Sequence, residues 1–198
     1  PYRIFGRYLA HFESITIFSR DAINIASIDA IPKSSGNGVH FLSAPSLSSL
    51  KNLFFLRKEQ SVRLKEVMKE HDALIVRLPS EYGLMAIKVA QELDIPFVVE
   101  VVGCAWDALW NYGSYKAKLY APILTWRMKN AVLQAENVSY VSQSFLQGRY
   151  PANINAKTVS VSNVELSEVG KHILSGRLER ISKDKTKVIK PSMIFDKK

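Results

Sequence analysis

The sequence predicts an α/β domain: a Rossmann-like, doubly wound and mostly parallel sheet flanked by helices. Two observations carry this. Short runs rich in Val, Ile and Phe recur along the chain with little polar alternation, the pattern of strands covered on both faces. Longer stretches with apolar residues at helical spacing separate them, which is the alternation of a parallel sheet with crossover helices. Pro, Gly and Ser clusters punctuate the boundaries.

Taken in order, "YRIFGRYLAHF" (2–12) reads as a helix. "SITIFSRD" (14–21) is apolar and β-branched, hence a strand, and "SSGNG" (34–38) is a turn leading into "VHFLSAP" (39–45), a strand stopped by Pro45. Residues 53–70 are rich in helix formers and place Leu64, Val67, Met68 and His71 at helical spacing. "DALIVRLPS" (72–80) is a continuous strand ending in Pro79-Ser80, and the helix over 81–95 sets Ala86, Val89, Ala90 and Leu93 on one face. A strand over 96–103 and a helix over 115–136 follow, with Pro122 marking a start or a kink. Strands over 137–142 and 157–163 complete the series. The strand that normally begins such a fold is not written ahead of the first helix, so an N-terminal strand is expected to be lost or supplied some other way. "TKVIKPSMIFDKK" (186–198) starts another strand-like run and stops, as expected of a piece of something longer. The division expected is a domain over 1–168 and, over 169–198, a basic linker with the start of a truncated second domain.

Composition excludes several classes. At 47% hydrophobic and 23% charged residues the chain has the balance of an ordinary globular protein. No run approaches the roughly 18 apolar residues of a membrane-spanning helix, and the opening segment lacks a signal-peptide layout. The single cysteine, Cys104, excludes an internal disulfide, is expected to act as a small buried hydrophobe, and fits a cytoplasmic setting. His11, His40, His71 and His172 show no metal-ligand spacing, so no metal site is expected. The net charge is +9, but residues 171–198 hold nine Lys or Arg against three acids and so carry +6 of it. An excess concentrated in a tail, without interleaved aromatics, argues against nucleic acid and suits either solubility or adhesion to an anionic membrane surface. None of the nine glycines forms a GxGxxG or Walker motif, and no cofactor is expected.

The most legible stretch is "VSYVSQSFLQGRYP" (138–151): a short β run, then Ser142, then a turn or two of helix closed by Arg149-Tyr150-Pro151. Ligands of open α/β sheets bind beyond the carboxyl ends of the strands, which sets Ser142 on the ligand side. Arg149 follows it, with a guanidinium fork suited to phosphate, or merely caps the short helix. Glu100, within "VVEVVG", is either a carboxylate bonded to backbone amides or a polar group facing a cleft, since an unpartnered one in a strand is costly. Trp106 and Trp110 are either core or a sugar-stacking platform.

The order of segments, with "RYLAHF", "RLPSEYGLMA", "VVEVVGCAWDALWNYG", "VSYVSQSFLQGRYP" and "VSNVEL", resembles glycosyltransferases of the GT-B fold. More closely, residues 2–168 look like the N-terminal, acceptor-side domain of a family 4 enzyme of surface polysaccharide synthesis. In that family two Rossmann-like domains face each other across a cleft, and the second holds the nucleotide-sugar through a pair of glutamates. The resemblance implies cleft positions for Arg77, Ser80 and Glu81 after one strand and for Gly103, Trp106 and Asp107 after the next. Ser142 and Arg149 match the stretch above, and Asn163, in Asn163-Val164-Glu165, matches the loop that crosses toward the nucleotide-sugar side. Where the wider family often places a histidine, this chain has Gly103-Cys104.

The resemblance implies a retaining hexosyltransferase that passes a sugar from a UDP- or GDP-sugar to a glycan or lipid-linked acceptor. It would work in the cytoplasm or at the inner face of the membrane, with this half alone inactive. Two alternatives stand beside it. One is a non-catalytic sugar- or partner-binding module. The other is a further GT-B chemistry such as nucleotide-sugar epimerisation, which calls for paired carboxylates and a histidine. Arg77 also has a purely structural reading, as the ion-pair partner of Glu81.

Overall fold

The computed structural model of the chain describes residues 2–20, 34–47, 49–162 and 171–183. It separates into two compact units, Pro1–Val161 and Ser162–Lys198. Of the second, the described part is Ser162 and one exposed helix, Lys171–Lys183. Asn163, "VSNVEL" from its Asn onward and the whole run over 186–198 lie outside the described residues.

The first unit opens on a tight 3-10 turn, Tyr2–Phe5, that runs into α1 (Gly6–Leu9). There follow β1 (Ile15–Arg20), β2 (Val39–Ala44), α2 (Leu50–Met68), β3 (Leu74–Leu78), α3 (Glu81–Leu93) and β4 (Phe97–Val101). Then come α4 (Ala105–Trp110), α5 (Tyr115–Gln134), β5 (Asn137–Tyr140), α6 (Phe145–Arg149) and β6 (Lys157–Ser160). Among the described residues every strand pair is parallel, as predicted, but the strands form two sheets, β1-β2 and β3-β4-β5-β6.

Local chemistry accounts for the boundaries. Ser49 caps α2 by accepting from the Asn52 N–H at 3.1 Å, and Ser80 caps α3 by accepting from Gly83 at 3.2 Å. Asp94 ends α3 in the left-handed region at φ 55°, a conformation that Asp tolerates. Pro122 neither starts nor interrupts α5, which begins earlier at Tyr115 and carries the proline in its interior.

Side chains alternate along each strand. Val76, Leu78, Val99, Val101, Val138 and Tyr140 are buried to 2% exposure or less and pack with Val89 and Ala90 of α3 and Met128 and Val132 of α5 in one core. The intervening residues Ile75, Arg77, Glu100 and Ser139 lie on the other face, and the register brings Arg77 beside Glu100.

Gly83 sets how closely α3 approaches β3. A Cβ there would lie 2.8 Å from Val76 Cγ1 and 2.9 Å from Leu78 Cδ2. Gly83→Ala is therefore expected to destabilise the unit by about 1–3 kcal/mol through overpacking. That outweighs the gain of roughly 0.5–1 kcal/mol that alanine brings to a helix. A urea titration checks this; an unchanged or higher midpoint would mean that helix and strand part freely.

Candidate functional site

The carboxyl ends of β3, β4 and β5 open onto three loops that carry most of the residues singled out in the sequence. After β4, Val102 and Gly103 lead into α4. The chain closes over Gly103 so that a Cβ would meet Pro79 at 3.6 Å, an ordinary contact. Cys104, half-buried, stands at the helix N-cap with its Sγ 3.5 Å from the Asp107 N–H.

Tyr150 fixes this loop from the side. It is fully buried, and its phenolic oxygen accepts from the Ala105 N–H at 2.8 Å and lies 3.4 Å from Cys104 Sγ. Its own carbonyl accepts from the Tyr140 hydroxyl at 2.7 Å. Burial raises the pKa of both phenols above the usual tyrosine value. Tyr150→Phe would keep the ring but leave the Ala105 N–H buried and unpaired, a cost of about 1–3 kcal/mol. The check is a thermal or urea melt, in which a loss below the low end of that range would show water replacing the hydroxyl.

With the loops so held, Asp107 of α4 and Arg149 of α6 meet, Nη2 to Oδ1 at 3.7 Å, both substantially exposed. Arg149 also lies over the Phe145 ring at 5.7 Å. Such an exposed pair contributes little stability, so the guanidinium fork is available to an incoming anion. Beside it, Trp106 and Trp110 stack with centroids 5.0 Å apart and planes 12° from parallel, and Trp110 is 44% exposed. The nitrogen of Lys118 lies 5.5 Å over the Trp110 ring.

Ser142 is committed locally. Its hydroxyl accepts from the Leu146 N–H at 2.9 Å, starting α6, and donates to Gln147 Oε1 at 2.9 Å. Gln147 in turn donates to the Ser142 carbonyl at 2.5 Å and to Ser160 Oγ at 2.9 Å, tying the ends of β5 and β6 together. Ser80 is likewise engaged as a helix cap.

The two glutamates belong to separate clusters. Glu81 accepts from both Arg127 Nη1, at 2.8 and 2.9 Å, and the Tyr120 hydroxyl, at 2.5 Å. Arg77 therefore does not pair with Glu81; it lies on the opposite side of β3 and reaches Glu100, with Nε 3.2 Å from Oε2. That contact is an ion pair off hydrogen-bond geometry, since Glu100 Oε2 has no hydrogen-bond partner among the described residues. Glu100 Oε1 accepts from the Tyr8 hydroxyl at 2.9 Å. Burial, and then the Glu100 carboxylate, raise the pKa of Tyr8 above the usual value. Burial also pushes Tyr120 up to about 12, with the Glu81 carboxylate adding to it.

The structure thus brings together Gly103, Trp106, Asp107 and Arg149 at one edge, with Ser80 and Ser142 in the flanking loops as backbone supports. Arg77 and Glu100 form a second group under α1, and Glu81 a third against α5. Sequence reasoning did not find Tyr8, Tyr120, Arg127, Gln147 or Tyr150. Tyr120 and Arg127 stand two helical turns apart on α5, a spacing that sets them on one face. Tyr150 was read only as part of a basic-aromatic stop. Among the described residues, no group of three or more His, Cys, Asp or Glu is placed to hold a metal ion, and no helix is long and apolar enough to cross a membrane.

No family model matches the chain. Protein CapJ of Staphylococcus aureus is 34% identical over 167 residues, which cover 84% of this chain and 42% of CapJ. Crystal structures of Arabidopsis thaliana UGT89C1 align with TM-scores of 0.47, as the UDP complex at 11% identity and as the quercetin complex at 12%. Each alignment covers 89% of this chain, and 51% and 50% of the respective UGT89C1 chains. The chain is thus similar to CapJ over most of its own length while spanning less than half of that relative.

Proposed function

We propose that the chain is the acceptor-side half of a retaining glycosyltransferase of the GT-B family 4 type. It would pass a hexose from a UDP- or GDP-sugar to a glycan or lipid-linked acceptor in surface polysaccharide synthesis. The observation that carries this reading is the stacked Trp106–Trp110 pair standing beside the exposed Asp107–Arg149 pair at the carboxyl edge of β4 and β5. An indole face suits the apolar face of a sugar ring, a carboxylate accepts from sugar hydroxyls, and a guanidinium suits a phosphate. The parallel sheet and the motif order it shares with the family support the same reading.

No side chain of this half takes the role of nucleophile. A second lobe would bring the donor, and closure of the two would exclude water from the activated sugar. Stabilising the departing diphosphate is then the main electrostatic task, with Arg149 as this half's contribution and Asn163 at the crossing toward the donor. No cofactor takes part; the nucleotide-sugar is a substrate. Peripheral membrane attachment, the setting of a lipid-linked acceptor, is supported by α2, where Phe54 and Phe55 are 83% and 70% exposed next to Arg57 and Lys58.

The test uses the protein made from the complete reading frame, incubated with UDP- and GDP-sugars and a lipid-linked acceptor extract while nucleoside diphosphate release is measured. Trp106→Ala is expected to raise the acceptor KM about two- to tenfold, the scale of one aromatic stack. Arg149→Ala is expected to lower kcat/KM by at least as much. Silence across the whole panel would sink the transferase reading. Sugar binding without turnover would favour a non-catalytic module.

A further inference from the structure

Helix α5 is apolar on two opposite sides, and the core takes up one of them. Ala121, Leu124, Met128, Ala131 and Val132 are buried on the inner side. At about 3.6 residues per turn, Tyr115, Leu119, Ile123, Trp126 and Leu133 fall within about 80° of arc on the outer side. These five are between 42% and 72% exposed. A helix that is apolar all round belongs in an interior, so the outer stripe calls for a cover beyond the described residues of this unit.

The spacing of the stripe gives the shape of that cover. Leu119, Ile123, Trp126, Asn130 and Leu133 follow at steps of four, three, four and three. That is the roughly 3.5-residue repeat of a helix packed along another helix, and a stripe this narrow is the seam of such a pair. The area is of the right size as well. With side chains of ~150–250 Å² each, the five expose on the order of 600 Å². The exposed Lys116 and Lys129 lay their aliphatic stems beside the stripe, widening it toward the roughly 800 Å² that a standard interface takes from each partner.

Charge selects the partner. α5 carries no acidic residue; Lys116 and Lys118 stand exposed at its start, and Glu136 stands exposed just past its end. A second α5 laid antiparallel sets each Glu136 against the lysine end of the other helix, at both ends of the seam. The opposed helix dipoles act in the same direction. A parallel pair would instead hold the lysines side by side.

We propose that the outer face of α5 is a self-association surface, on which a second copy of this chain packs its own α5 antiparallel. Ile123 of each copy then meets Trp126 of the other near a two-fold axis. Such a contact uses the same stripe on both copies, so the assembly closes at a dimer. The inference stands on α5 alone and is independent of any catalytic role.

The experiment is sedimentation velocity of the protein made from the complete reading frame, over a concentration series through the micromolar range. The expected result is a mass that rises from one chain to two. Trp126→Ala is expected to raise the dimer Kd at least about tenfold, the scale of a central tryptophan anchor. Leu119→Ala repeats the test at a second position, and Phe54→Ala, at an exposed aromatic of α2, should leave the Kd unchanged. Glu136→Lys should raise it about two- to fivefold, the worth of exposed ion pairs, and Lys116→Glu in the same chain should bring it back. Urea midpoints check that each variant is folded. The proposal is overturned if the protein stays monomeric throughout, or if Trp126→Ala and Leu119→Ala leave the dimer as tight as Phe54→Ala does. Failure of Lys116→Glu to rescue Glu136→Lys overturns the antiparallel arrangement.

Discussion

Arg127→Met is expected to destabilise the first unit by about 3–5 kcal/mol, the cost of leaving a largely buried charge without its partner. The side chains of Arg127 and Glu81 are only 19% and 13% exposed, and one guanidinium nitrogen serves both carboxylate oxygens. Among the described residues, removing the arginine leaves Glu81 with the Tyr120 hydroxyl alone, at the first turn of the helix that covers β3 and β4. Adding Glu81→Gln to the same chain should recover a large part of the loss, because an uncharged pair of similar shape escapes most of the desolvation cost. Urea midpoints of the two single variants and the double variant measure the coupling. A loss below roughly 1 kcal/mol for Arg127→Met would show that water reaches Glu81 and that the pair behaves as a surface one.

The same cluster sets an alkaline limit. Tyr120 holds its proton up to about pH 12 in the folded chain, against an ordinary tyrosine value of 10.0. The folded state therefore binds the proton more tightly than the unfolded one. The associated stability is fully present below pH 10 and lost as the pH rises from there toward 12. Tyr120→Phe should flatten that part of the stability profile.

Leu78→Ala is the second large expected effect, a loss of about 2–5 kcal/mol. Leu78 is wholly buried at the carboxyl end of β3 and lies against the first turn of α3 at Gly83. The residue paired with it in register, Val101, is equally buried. Strand and helix are both held at their other contacts, so the site cannot collapse onto the smaller side chain, and the cavity term adds to the lost transfer free energy. Ile75, one strand face away and 38% exposed, is the internal control: Ile75→Ala should cost far less. Equal losses at both positions would contradict the assignment of faces.

The parts of the fold legible in the sequence were those whose pattern is local. The β-branched runs of β3, β4 and β5 and the helix that follows Pro79-Ser80 come from residue chemistry within a few positions, whereas the capping roles of Ser80 and Asp94 emerged only in the structure. α4 was not predicted: six residues hold less than two turns of periodicity, and its N-cap is a cysteine rather than Ser, Thr or Asp. Nor could local pattern give the division into two sheets, which depends on what lies beside β1 in space. At the site, the edge position of Arg149 followed from the strand that precedes it, and that of Asp107 from the family resemblance. The partners of Glu81 and Glu100 did not, because Arg127 and Tyr8 come from helices 46 and 92 positions away along the chain. The bland reading of Arg77 as an ion-pair partner had the right chemistry and the wrong carboxylate.

The buried phenol of Tyr150 has a bearing on recognition as well as on stability. By bonding the Ala105 amide while its own carbonyl is held by Tyr140, it makes the loop after β4 and the helix after β5 move as one body. Trp106, Asp107 and Arg149 are thereby preorganised before any ligand arrives. Binding at that edge would then carry little of the ordering entropy that mobile loops lose on association, and selectivity would come from the fit of a fixed surface.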